Sequence, residues 1–214
     1  MRSKFDEQLA LLNRDLTKMG SLCEEALALA AKALANADGQ TAAKIAPIDS
    51  EIDQMERTIE SLCLKLLLQQ QPVARDLRQI SAALKMITDM ERIGDQASDI
   101  AEIIGFLNGR IGTDAQYICQ MAVAAMRMVT ESVEAYVKRD VAMAEATIQH
   151  DDIVDDLFLK VKDSLIQMIS ENPKDGEYAL DLLMIAKYFE RIGDHATNIA
   201  EWVVFSVTGV HAQG

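Results

Sequence analysis

Glu91-Arg-Ile-Gly-Asp-Gln-Ala-Ser-Asp-Ile-Ala-Glu102 returns ninety-nine positions later as Glu190-Arg-Ile-Gly-Asp-His-Ala-Thr-Asn-Ile-Ala-Glu201. A doubled segment of this length marks an internal duplication, and the duplication sets the fold. The correspondence extends beyond the quoted stretch: Asp38 and Asp140 are 102 apart, Asp53 and Asp155 also 102, Pro72 and Pro173 101, and Asp95 and Asp194 99. The small drift in offset belongs to the breaks between elements.

Around the doubled stretch the apolar residues recur at spacings of three and four, the period of an amphipathic helix. Phe5, Leu9, Leu12, Leu16, Met19, Cys23, Leu27 and Leu34 form one stripe, closed by Asn36-Ala-Asp-Gly39. A second helix is expected from about Thr41 to Gln70, with Pro47 disturbing its first turns. A third runs from just after Pro72 to about Leu107. After Asn108-Gly-Arg-Ile-Gly-Thr-Asp114 the pattern restarts, giving helices at about Ala115 to Lys138, Val141 to Ser170 and Glu177 to Val207. The fold class is therefore all-α: two tandem, pseudo-symmetric three-helix bundles, residues 1–108 and 109–214. Short connections make sequence neighbours antiparallel. Periodicity leaves open whether the repeats pack side by side about a pseudo-twofold axis or as one continuous stack.

Composition narrows the function. The chain has 214 residues, half of them hydrophobic, with 3 Pro and 10 Gly, a vocabulary of helices with enough apolar material for a core. Its 34 acids against 21 Lys and Arg give a net charge of −13, which repels a phosphate backbone and disfavours direct nucleic-acid binding. Three scattered cysteines, Cys23, Cys63 and Cys119, point to reduced thiols and a cytoplasmic protein. The first residues lack an apolar leader core, and every apolar run breaks before the roughly 18 residues a membrane span requires.

The acids recur with the repeat. Asp49 and Asp53 are four apart on the second helix, and Glu91, Asp95 and Asp99 have the same spacing on the third. Asp151 and Asp155, with Glu190, Asp194 and Asn198, repeat the arrangement. A four-residue step turns about 40° and rises about 6 Å, so each set is a drifting ladder of carboxylates, and ladders on adjacent helices can converge. Convergent carboxylates repel and call for protons or cations. An all-oxygen donor set suits Mg²⁺, Mn²⁺ or Ca²⁺, and carboxylate clusters also hold iron or zinc.

Gly94 and Gly193 within the helices mark close approach of a neighbour or access for a ligand. Arg92 and Arg191 read as local salt-bridge partners, and His150, His195 and His211 as surface or packing histidines. The bland alternative, solvated acids on exposed helix faces, is outweighed by two motifs per repeat in both repeats. Glu-x-x-His, His-Glu-x-x-His, Gly-x-Ser-x-Gly and a Gly-rich phosphate loop are absent from the sequence, which weakens a ferritin-like oxidase or a hydrolase. A carboxylate-bridged metalloenzyme and a metal-free helical dimerisation module remain as alternatives.

Glu91-Arg-Ile-Gly-Asp95, Glu190 to Glu201 and Gln71-Pro-Val-Ala-Arg-Asp-Leu-Arg78 resemble the signature segments of the PhoU family of phosphate-transport regulators, and the resemblance covers the whole chain. It implies two three-helix bundles with multinuclear metal clusters, divalent or trivalent, on the ladders at Asp49, Asp53, Glu91, Asp95 and Asp99 and at Asp151, Asp155, Glu190, Asp194 and Asn198. It further implies a non-catalytic cytoplasmic adaptor between the ATPase subunit of a phosphate importer and a sensor histidine kinase, a negative regulator of phosphate uptake that meets the membrane only through its partners. The long apolar helices suggest a homodimer. Asn198 opposite Asp99 removes a charge, so the second site is expected to hold fewer or weaker metals. The first and fourth helices, which lack the ladder, are expected to pack outside and to present partner-binding faces.

Overall fold

The computed structural model describes residues 2–69, 73–107, 109–110 and 115–210; Pro72, His211 and most of the linker 108–114, read above as the boundary between repeats, lie outside them. Its elements are α1 (Arg2–Asn36), α2 (Gly39–Ala42), α3 (Ile45–Gln69), α4 (Ala74–Phe106), α5 (Gln116–Lys138), α6 (Val141–Gln149), α7 (Asp151–Glu171), a 3₁₀ turn (Pro173–Asp175) and α8 (Gly176–Thr208). The described residues contain helices and turns and no strand. Six of the helices are long, and the all-α duplicated architecture is the one the periodicity predicts.

The first turn after each opening helix follows the same plan. Ala37 and Arg139 both adopt the left-handed conformation, with φ of 51° and 56°, which stops the preceding helix. Asp38 and Asp140 then start the next one as N-caps, accepting from the Gln40 and Met143 backbone N–H groups at 2.9 and 3.0 Å. The following helix is interrupted in both repeats, but not at the same place. Ala43 and Lys44 separate α2 from α3, with Pro47 in the first turn of α3 where its missing N–H leaves no bond unmade. The second repeat instead turns at His150, directly before Asp151. Asn172 caps the 3₁₀ turn at Pro173, and Gly209, at φ 78°, closes α8 by donating to the Phe205 carbonyl at 2.8 Å.

Within the first repeat α1 packs on α3 and α4, and within the second α5 packs on α6, α7 and α8. Between the repeats, α4 lies along α8 and α1 along α5. Each inter-repeat pair joins equivalent helices, as a pseudo-twofold axis requires, so the repeats sit side by side and share one hydrophobic core. Ile80, Met90, Ile100, Leu182, Phe189 and Ile199 are fully buried along α4 and α8.

The first and fourth helices, α1 and α5, pack on each other across the repeats as well as on their own bundles. One face of each is exposed, but α1 and α5 also press on each other, because Gly20 leaves no side chain between them. A Cβ at Gly20 would stand 2.8 Å from Val133 Cγ1 and 3.0 Å from Cγ2. Alanine is a better helix former than glycine by about 1 kcal/mol. The β-branched Val133 has little rotamer freedom to yield, and overpacking costs about 1–3 kcal/mol. Gly20→Ala is therefore expected to lower the urea midpoint, and adding Val133→Ala to recover part of the loss, although Val133→Ala alone destabilises.

Candidate metal centre

Of the ten ladder positions, the fold brings three into one cluster. Asp49 and Asp53 project from successive turns of α3 toward Asp95 on α4, and one oxygen from each lies within 4.8 Å of the others. Among the described residues these form the only triad of carboxylate, histidine or cysteine ligand atoms so placed. Oxygens on opposite sides of one cation, each about 2.1–2.5 Å from it, are separated by no more than about 5 Å, so the spacing suits a single shared ion.

The approach of α3 to α4 depends on Gly94. A Cβ there would sit 2.8 Å from Asp49 Oδ1 and 3.0 Å from Ile52 Cδ1, so the doubled Gly-Asp step places a carboxylate where any side chain would stand. Asp49 Oδ1 is buried and meets no hydrogen-bond donor. Burial raises the Asp49 pKa, with Asp95, Asp53 and Asp99 adding to the rise and the Ser98 hydroxyl opposing it. Glu91, one turn before Asp95, is likewise raised by burial and by Asp95. Arg92 answers part of this charge from the exposed edge, 2.9 Å from Asp95 Oδ2 and 3.4 Å from Glu91 Oε2, the local role its spacing suggests. An orphaned buried oxygen, a glycine-lined recess and an all-oxygen donor set fit a hard cation at this first cradle.

Asp99 serves a second neighbour. Besides its field at Asp49, it contributes to the raised pKa of the Tyr188 phenol on α8, after burial. The equivalent contact across the pseudo-twofold uses Asn198, whose amide donates to Asp89 Oδ1 at 3.2 Å, beside His195 Nδ1 at 2.8 Å from the same oxygen. Asn198 therefore belongs to the α4–α8 seam. Asp99 and Glu102 also line, with Ser98, Ala42, Ala46 and Gly105, a groove between the start of α3 and α4.

The second cradle keeps the frame and loses the convergence. A Cβ at Gly193 would lie 3.1 Å from Asp151 Oδ1, as at Gly94, yet Asp155 and Asp194 remain open to solvent. Burial, then Asp194, Asp155, Asp152 and Glu190, push the Asp151 pKa up to about 6. Asp155 and Asp194 are raised by burial and by Glu190, with the Lys187 ammonium pulling both back. Lys187 forms an ion pair with Glu190 Oε2. This lysine, with Asp89, Ser98 and Glu56, went unread in the sequence; the repeat offset alone would have shown that Lys187 stands where the first repeat has Thr88.

Because the folded-state pKa of Asp151 lies above that of an unfolded aspartate, the native protein binds the extra proton between about pH 4 and pH 6. Its contribution thus stabilises the fold at low pH and is lost as pH rises through about 6. In metal-free protein, Asp151→Asn is expected to raise the melting temperature at pH 7.5 and to narrow its lead over the native chain at pH 5, measured by thermal unfolding across that range.

The PhoU domain profile matches this chain twice, at residues 16–104 and 118–203. The phosphate-specific transport system accessory protein PhoU homologue of Clostridium acetobutylicum is 36% identical over 210 residues, 97% of this chain and 96% of that protein. The crystal structure of PhoU from Pseudomonas aeruginosa superposes with a TM-score of 0.93 at 34% identity, covering 96% of this chain and 100% of that one. The phosphate transport system regulatory protein PhoU from Streptococcus pneumoniae gives a TM-score of 0.88 at 26% identity, covering 98% and 99%. With both copies of the domain matched and the fold shared over nearly its whole length, the chain belongs to the PhoU family.

Proposed function

We propose that this protein is an accessory regulator of phosphate-specific transport that works by docking rather than by turnover, with a cation held at the first cradle. The carrying observation is the Asp49–Asp53–Asp95 triad, seated at the doubled signature of a chain whose relatives are named as accessory and regulatory proteins of phosphate transport. Asp49, Asp53 and Asp95 would hold the ion, with Glu91 adjacent. A bound Mg²⁺, Mn²⁺, zinc or iron ion, or more than one, would supply the positive charge that lets the α3 and α4 carboxylates stay ionised side by side.

The rest of the surface fits recognition. Burial pushes the Cys63 thiol up to about 12 and Cys23 higher still, which keeps both protonated and unreactive. No helix of the described residues is long and apolar enough to cross a membrane. The partners in this reading are the ATPase subunit of a phosphate importer and a sensor histidine kinase, and the protein restrains phosphate uptake and the starvation response when phosphate is ample. Its setting is the cytoplasm, and its working form a homodimer, consistent with exposed apolar side chains such as Leu68 and Ile166. Light scattering that returns the monomer mass would remove the dimer.

Pull-down from cells grown in high and low phosphate, with elemental analysis of the purified chain, tests this reading. Importer ATPase and kinase are expected to be retained by the native chain, and metal content and retention to fall together in Asp49→Asn/Asp95→Asn. A folded double variant with unchanged metal and unchanged partners would overturn it.

A further inference from the structure

The two cradles differ by a paired exchange. The 102-residue offset that relates Asp53 to Asp155 also relates Glu56 on α3 to Phe158 on α7, and the 99-residue offset that relates Asp95 to Asp194 relates Thr88 on α4 to Lys187 on α8. An acid and a neutral hydroxyl in the first cradle are thus an aromatic ring and an ammonium in the second. The new pair is assembled: Lys187 Nζ ion-pairs with Glu190 Oε2 and stands 5.5 Å from the Phe158 ring centroid. In the first repeat the Thr88 hydroxyl only donates back to the Leu84 carbonyl at 3.5 Å.

We propose that Lys187 is a built-in counter-ion that occupies the place of a metal in the second cradle, so that cations bind between α3 and α4 while the α7–α8 cradle works metal-free. The proposal rests on the metal reading of the first cradle. An ammonium on a flexible four-carbon stem neutralises carboxylates as a point charge, and any ion entering the same cradle must displace it from both Glu190 and the ring face. Arg92 and Arg191 hold the same register and both are exposed, and Arg92 adds partial compensation to the first cradle by pairing with Asp95 and Glu91 from its outer edge. Arg92 sits at the rim and leaves the buried Asp49 Oδ1 with neither a hydrogen bond nor a cation, whereas Glu190 Oε2, which likewise accepts no hydrogen bond, has the Lys187 ammonium against it. The two remedies for crowded carboxylates, a bound ion and a tethered one, are divided between the copies.

Mn²⁺ titration of the full chain, followed calorimetrically, tests the division. The native protein is expected to show Mn²⁺ binding that Asp95→Asn removes and Asp194→Asn leaves in place. Lys187→Thr should add a second class of binding at least about tenfold tighter than any residual binding there, retained with Asp95→Asn and lost with Asp194→Asn. Without metal, Lys187→Thr should also melt lower than the native chain and recover with Mn²⁺. Lys187→Gln, which keeps the stem and removes the charge, should behave alike if the threonine variant folds poorly. Native binding abolished by Asp194→Asn, or no new site in either folded Lys187 variant, overturns the proposal. Native binding indifferent to Asp95→Asn fails the metal reading of the first cradle instead, a separate result.

Discussion

Half-burying like charges on adjacent helices is the constraint around which this molecule is arranged. Carboxylate oxygens within 4.8 Å repel by a few kcal/mol per pair at an effective dielectric of about 20, before screening by the solvent that still reaches them. A fold that tolerates this must supply something in return. At Asp49, Asp53 and Asp95 the geometry leaves an unpartnered oxygen in a recess, and at Glu190, Asp155 and Asp194 it brings in an ammonium. Gly94 and Gly193 ease both arrangements, since a methyl group would crowd an aspartate oxygen at each, at 2.8 Å from Asp49 Oδ1 and at 3.1 Å from Asp151 Oδ1.

Helix existence, the duplicated turns and the ladders were legible because each is a local, periodic property. Apolar spacing identifies which face of α4 is buried, and four-residue spacing identifies which acids share a side. What spacing does not carry is the identity of the neighbour each side meets. From Glu91 to Asp99 the ladder drifts by about 80°, enough to rotate its last member partly away from α3 and toward α8. Asp99 accordingly acts on both Asp49 and Tyr188, and Asn198 turns to Asp89, so the charge missing at Asn198 is felt chiefly at the seam.

The placement of α1 against α5 was hidden for a related reason. A helix without the acidic ladder looks peripheral when the ladder is taken to mark the site, but its packing is decided by small residues and shape. Gly20 against Val133 brings two backbones together by subtraction of a side chain, which leaves no hydrophobic signal to read. The choice between side-by-side repeats and a stack likewise follows from which buried faces are complementary, a property of two surfaces at once.

The seam between α4 and α8 is one that two separate copies of a single repeat could have formed. In such an assembly every residue would face its own twin's surroundings, and any substitution would appear on both sides of the axis. Joining the copies in one chain lifts that obligation. Gln96 and His195, Asp89 and Tyr188, Thr88 and Lys187, Glu56 and Phe158 are pairs that symmetry would have held identical and covalent linkage allowed to part. The duplication thus gave the protein two carboxylate cradles of common descent, each free to diverge in sequence while both remain anchored to the shared α4–α8 seam.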